Sequence, residues 1–203
     1  MDEEFAALAE RLSGEAATPA ERALYERAVA CAREGTPAAR EELARMLETA
    51  GQPLWVRELA AFALGTLGDR RAFEPLVLLL NYRDPVRAAA AGAALARLGD
   101  ARTARAAAAL AANPLRTSYA LHAVRLLAAL RAPESVPTLI GTLERLVGEP
   151  GRHWEVAAAC IEGLGALGDE RAVPALSAAR VYPELRTAAG EALARIWRGS
   201  PSA

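Results

Sequence analysis

Apolar positions recur along this chain at helical spacing, in short blocks punctuated by Gly, Pro, Asp and Asn. Between Trp55 and Leu80 the pattern is clearest. Val56, Leu59, Ala60, Ala63, Leu64 and Leu67 fall on one wide stripe of a first helix. Gly68 ends it, Asp69 opens a second, and Phe73, Leu76, Val77 and Leu80 form that helix's buried face. The block returns from Trp154 to Ala179, where Val156, Leu164 and Gly168-Asp169 stand in for Val56, Leu64 and Gly68-Asp69. A third copy runs from Val86 to Leu110. Helical composition repeating roughly every thirty residues predicts a stacked array of helix pairs.

The rest of the chain fits around those copies. Phe5, Leu8, Ala9 and Leu12 share one face of a helix from Glu3 to Leu12 that carries no repeat motif, so it is expected to cap the end of the stack. A polar break at 13–18 leads to Thr18-Pro19, which opens a helix to about Glu34; Gly35-Thr36-Pro37 opens another to about Thr49. Asp84-Pro85 begins a helix ending at Leu98-Gly99-Asp100. Asn113-Pro114 is expected to begin one long helix through Leu130, and Ala132-Pro133 the next, through about Val147. The break at 148–152 reads as an insertion, followed late in the chain by helices over about Glu170–Arg180 and Pro183–Trp197. About twelve helices in six pairs result. The expected division is a cap and break over 1–18, an array over 19–198 (about 19–52, 53–83, 84–113, 114–150 and 151–198), and a tail over 199–203.

Composition supports an all-α chain. Apolar residues make up 53% and aromatics 5%, with alanine dominant, a residue that favours helix because it loses no side-chain entropy. All 24 basic residues are arginine, a weak pointer to a GC-rich bacterial coding sequence. Net charge is −1, which gives no general drive toward nucleic acid or acidic membrane. Its distribution is uneven. Residues 1–50 hold 11 acids and 6 arginines, residues 51–131 hold 5 and 11, and the remainder 9 and 7. With no leader pattern and no apolar run of membrane-spanning length, the expected location is the cytoplasm.

Catalytic chemistry finds little to stand on. The recurring Gly-Asp-x-Arg is expected to be structural, the aspartate capping a helix and Arg71, Arg102 and Arg171 bridging turns, since a catalytic residue occurs once. His122 and His153 lack the ligand set of a closed zinc site. Cys31 and Cys160 lie in no metal spacing, and Cys160 takes the small buried place of Ala60, as a packed free thiol would. The glycines of Gly163–Gly168 mimic a dinucleotide fingerprint but follow a helix, which makes them packing and stop residues. No catalytic, cofactor-binding or metal residue is assigned. Trp197 is expected to pack on the neighbouring repeat, while Trp55 and Trp154 are equally suited to packing and to anchoring an interface.

The pattern V-R-x-x-A-A-x-A-L-G-x-L-G-D-x-R-A-x-x-P-L, carried by Val56, Arg57, Ala60, Ala61, Ala63, Leu64, Gly65, Leu67, Gly68, Asp69, Arg71, Ala72, Pro75 and Leu76, resembles HEAT repeats. The similarity is greatest to the short bacterial type named after the phycobilisome lyase subunits, and it covers roughly residues 37–198. It implies a right-handed α-solenoid of the armadillo/HEAT type, with the V-R-x-x-A-A helices lining a concave side. On that reading Phe62 is outward, replaced by Ala93, Arg125, Glu162 and Glu191 in later copies; Trp55 is replaced by Val86, Ser118, Glu155 and Glu184. The candidate binding face is then Trp55, Arg57, Glu58, Phe62, Arg97, Arg125, Trp154, Glu155, Glu162 and Glu191, and the expected function is a non-catalytic scaffold for a protein partner, without cofactor. HEAT-type deoxyhypusine hydroxylases hold di-iron through His-Glu pairs, but here Ala123 follows His122 and Trp154 follows His153. The alternatives are a phycobilin-lyase-like subunit or chaperone-type accessory factor, and a nucleic-acid binder resembling HEAT-like DNA glycosylases, using Arg57, Arg87, Arg97, Arg116 and Arg125.

Overall fold

A computed structural model describes residues 3–148 and 153–199 of the chain. Twelve α-helices are present among them and no strand. They are α1 (Glu3–Ser13), α2 (Pro19–Glu34), α3 (Pro37–Glu48), α4 (Leu54–Thr66), α5 (Phe73–Leu80), α6 (Pro85–Leu98), α7 (Arg102–Ala112), α8 (Leu121–Leu130), α9 (Ser135–Gly148), α10 (Trp154–Leu167), α11 (Val173–Ala179) and α12 (Arg186–Gly199). Most of the expected insertion at 148–152, and the tail beyond Gly199, lie outside the described residues.

The helices form two compact units, Met1–Thr103 and Ala104–Ala203, divided within α7. Each unit has two layers. In unit 1, α2, α4 and α6 lie side by side, with α3 and α5 packed behind them. In unit 2, α8, α10 and α12 form the first layer, with α9 and α11 behind. The middle helix of each first layer, α4 or α10, touches every other helix named in its unit or nearly so, and carries a dense core: Val56, Leu59 and Leu64 on α4, and Val156, Ile161 and Leu164 on α10.

Small residues let the layers close up. A Cβ placed on Gly65 would sit 2.7 Å from Leu76 and 3.3 Å from Ala94; one on Gly165 would sit 2.8 Å from both the Cα and the Cβ of Ala192. Gly163 similarly abuts Ala128 at 2.8 Å. Gly68 and Gly168 serve differently: both hold φ near +74° and +73°, the left-handed conformation that stops a helix at little cost to glycine.

The Gly-Asp-x-Arg element does its work within the turn. The Asp69, Asp100 and Asp169 carboxylates each accept a hydrogen bond from the backbone N–H two residues on, at 3.1, 2.9 and 2.9 Å. The same carboxylates take Nε and Nη2 of Arg71, Arg102 and Arg171. Arg71 reaches on to Glu41 of α3. The arginines therefore fold back on the capping aspartate, and two of the three caps start a short 3₁₀ turn before α5 and α11.

Two helix boundaries and one buried face differ from expectation. Asn113-Pro114 opens a 3₁₀ segment, Pro114–Tyr119, and α8 begins only at Leu121. Thr117 donates its hydroxyl to the Pro114 carbonyl and accepts from Arg145, a local bond that competes with α-helical pairing. The helix after Arg131 starts at Ser135, whose buried hydroxyl accepts from Ala132 N–H and donates to Leu127 C=O. In α5, Leu79 rather than Val77 is buried with Phe73, Leu76 and Leu80.

Gly165→Ala is expected to destabilise the chain by about 1–3 kcal/mol, because the contacted atom is backbone and cannot move aside. Gly190→Ala in α12, with nothing within 4 Å, should instead stabilise by about 0.5–1 kcal/mol. Urea denaturation of both variants checks the opposite signs. Bonding to Arg102 holds the Asp100 carboxyl down at about 2, against an ordinary 3.8. Stability from this group is thus present above 3.8 and lost as pH falls through about 2. Asp100→Asn, which keeps an acceptor for the cap, should flatten the melting-temperature profile across that window.

Candidate functional site

The outward face of each first layer is where the expected binding residues cluster, and the two units treat it differently. In unit 1 the α4 part of that face is covered. Helix α1 packs on α4 and α2, its Phe5, Leu8, Ala9 and Leu12 all buried, and it reaches α6 through ion pairs across an apolar gap of about 280 Å³ that leaves Val86 exposed. Phe5 packs on Phe62 with ring centroids 6.2 Å apart. Arg11 pairs with Glu58, Arg87 with Glu15 and Glu58 at 2.6 and 3.0 Å, and Arg97 with Glu4 at 2.6 Å. Glu4 lies near the end of α6 and Glu15 near its start, so α1 runs antiparallel to α6. The helix expected to cap the end of the stack instead lies across a face.

That placement corrects three candidate residues. Trp55, Glu58 and Phe62 were expected to be accessible; their relative exposures are 3%, 2% and 2%. Phe62, Ala93 and Val86 line one cavity with Leu8 and Arg11 of α1. Trp55 packs on Tyr25 of α2, whose hydroxyl donates to the Ala9 carbonyl at 2.7 Å. Glu58 sits between the guanidinium groups of Arg11 and Arg87. Burial pushes its carboxyl above the ordinary carboxylate value, and Arg11, then Arg87, draw it part of the way back. The signal was in the sequence: Trp55 and Phe62 on an outward face, where the later copy has Glu155 and Glu162, require a covering element. The Phe5-Leu8-Leu12 stripe supplies it.

In unit 2 the corresponding positions are open. Arg125 on α8, Glu155 and Glu162 on α10, and Glu191 on α12 are all exposed, and these three helices lie side by side. His122, one turn before Arg125, is half-buried; burial first, and then the Arg125 charge, hold its imidazole below its ordinary value. Trp154 departs from the set, packing its half-buried ring on Tyr182 beyond α11 at 5.6 Å. Trp197, expected to be packed, is 60% exposed because it falls on the outward side of the last helix.

Comparisons with known families now bear on both units. The model for the PBS lyase HEAT-like repeat matches residues 56–82, and that for HEAT repeats matches residues 116–194. The chain is a HEAT-repeat protein. No curated protein matches it significantly. Among solved structures it is similar to human deoxyhypusine hydroxylase in complex with glycerol, with 15% identity over 96% of each chain and a TM-score of 0.36. So distant a likeness carries nothing about chemistry.

The other candidates for chemistry in this HEAT protein are dispersed. Among the described residues no three His, Cys, Asp or Glu side chains gather as metal ligands would, and no helix is long and apolar enough to cross a membrane. Cys31 and Cys160 are buried free thiols; burial pushes Cys160 up to about 12, leaving it inert at neutral pH. The arginines proposed to grip phosphates do not form an open cluster in unit 1. Arg87 and Arg97 are engaged with acids of α1 or its flank, and Arg57 lies toward α5, away from Glu58 and Phe62. Arg116 lies over Tyr119 at 5.9 Å. The α1 cover is testable. Phe5→Ala should cost about 3 kcal/mol in urea denaturation and open the α1–α2 connection to protease. A loss below about 1 kcal/mol, typical of surface change, would show that α1 is not seated as described.

Proposed function

We propose that this HEAT-repeat protein is a non-catalytic scaffold that binds a protein partner through the outward face of α8, α10 and α12. One observation carries the reading: the outward side of α4 in unit 1 is covered by the chain's own α1, whereas its counterpart on α10 in unit 2 is exposed and polar. Arg125 faces outward on one helix while Glu155, Glu162 and Glu191 do so on the next two, so the partner surface is one that offers acid against α8 and base against α10 and α12. The mechanism is passive. Close packing at Gly163 and Gly165 holds the three helices rigid, which lowers the ordering cost of binding.

The unit 1 face supports the same reading by analogy within one chain. It receives an amphipathic helix through one aromatic contact and a set of Arg–Glu pairs, and an amphipathic helix is a natural occupant for such a surface. The pairing of Arg87 with Glu15 and Glu58, and of Arg97 with Glu4, weighs against a nucleic-acid role.

Arg125→Glu and Glu162→Arg should each weaken partner capture from nuclease-treated host lysate by about tenfold, while leaving melting temperature nearly unchanged, as surface substitutions do. Capture that disappears with nuclease alone would favour nucleic acid. Loss of fold in Arg125→Glu would put that residue in a supporting role.

A further inference from the structure

The two units share a groove between the start of the middle first-layer helix and the end of the helix behind it, and they fill it differently. In unit 2 the helix begins with Trp154, whose ring packs on Tyr182; the Tyr182 hydroxyl donates to the Val147 carbonyl at 2.6 Å. The indole closes the space. Matched position for position, as Val56 is to Val156, the unit 1 pair is Leu54 and Tyr82. Leucine lacks the ring, and a groove of about 320 Å³ remains, walled by Leu54, Pro75, Leu78, Leu79 and Tyr82, with Arg57 and Asn81 also lining it.

Two further differences coincide with the missing indole. Leu78 is 58% exposed and Tyr82 40%, an apolar wall open to solvent, while the counterpart of Leu78 is Ala178. Arg57 is exposed and forms no ion pair among the described residues, whereas its counterpart Ala157 is buried. Unit 1 therefore offers an open apolar slot beside an unmatched cation. At about 320 Å³ the slot lies at the small end of ligand pockets, suited to one large side chain. Tryptophan combines large buried area with low ordering cost and is enriched at the centre of interfaces.

We propose that this groove is a docking site for a segment of a partner protein that presents a tryptophan side chain next to a carboxylate. The indole takes the place that Trp154 occupies in unit 2, and the carboxylate pairs with Arg57. The site is separate from the α8–α10–α12 face, and none of the variants below touches that face, so the two readings stand or fall independently.

The test is a methyl and amide NMR titration of the full chain with three capped tripeptides: Asp-Trp-Asp, Asn-Trp-Asn and Asp-Ala-Asp. Saturable shifts at Leu78, Leu79 and Tyr82 are expected with the first, binding about tenfold weaker with the second, and none with the third. Arg57→Ala should bring the acidic peptide down to the level of the neutral one. Leu54→Trp, which installs the unit 2 residue, should abolish the shifts while holding or raising the melting temperature. Should Leu54→Trp fail to fold, Leu78→Glu at an exposed position must abolish them in its place. Absence of saturable shifts, equal binding of the three peptides, or binding unchanged by these substitutions would overturn the proposal.

Discussion

A methyl group's clearance between packed helices is the constraint on which the structure depends. Gly65 against Leu76 and Ala94, Gly163 against Ala128, and Gly165 against Ala192 each leave no room for a Cβ without displacement. With few aromatics, the chain cannot build its core from large side chains, so it builds one from short ones brought close together. The same closeness makes each first layer flush and rigid. Residues on the outward face then project from a fixed platform, and their chemistry can diverge between copies without touching the core.

That divergence separates the two units. Around α4 the outward positions turned apolar, and α1 folded over them, held by Phe5 on Phe62 and by a chain of pairs through Glu58, Arg11, Arg87 and Glu15. Leaving Glu58 buried without its arginines would be costly, so α1 is an integral part of unit 1 and not an appendage. Around α10 the same positions stayed charged and uncovered. The groove behind differs too: Trp154 packs on Tyr182 in unit 2, while Leu54 borders an open groove beside Tyr82 in unit 1. One repeat pattern has produced two complementary sets of filled and unfilled surfaces.

Much of this was legible in the residues. The recurring stripe and the Gly-Asp stops gave the helices, and the fixed spacing between the Trp55 and Trp154 blocks gave the register that still relates Phe62 to Glu162. What register could not give was coverage. Whether Phe62 meets solvent depends on where α1 docks, a contact distant in sequence and governed by no local signal. Helix starts near Thr117 and Ser135 slipped for the opposite reason, because side-chain hydroxyls there bond the backbone locally and override the proline boundary. Trp197 is exposed although a tryptophan in a repeat helix is expected to pack, and helical spacing alone does not fix which side of α12 it takes.

The central claim is that partners meet the α8–α10–α12 face, whereas α1 already covers the outward side of α4. Site-specific photo-crosslinking tests it most directly, with a photoreactive residue placed at Glu162 in one sample and at Glu170, outside that face, in another. The expected result is a discrete crosslinked partner from position 162 and none from position 170. Crosslinks of equal yield from both positions, or from position 170 alone, would contradict the account.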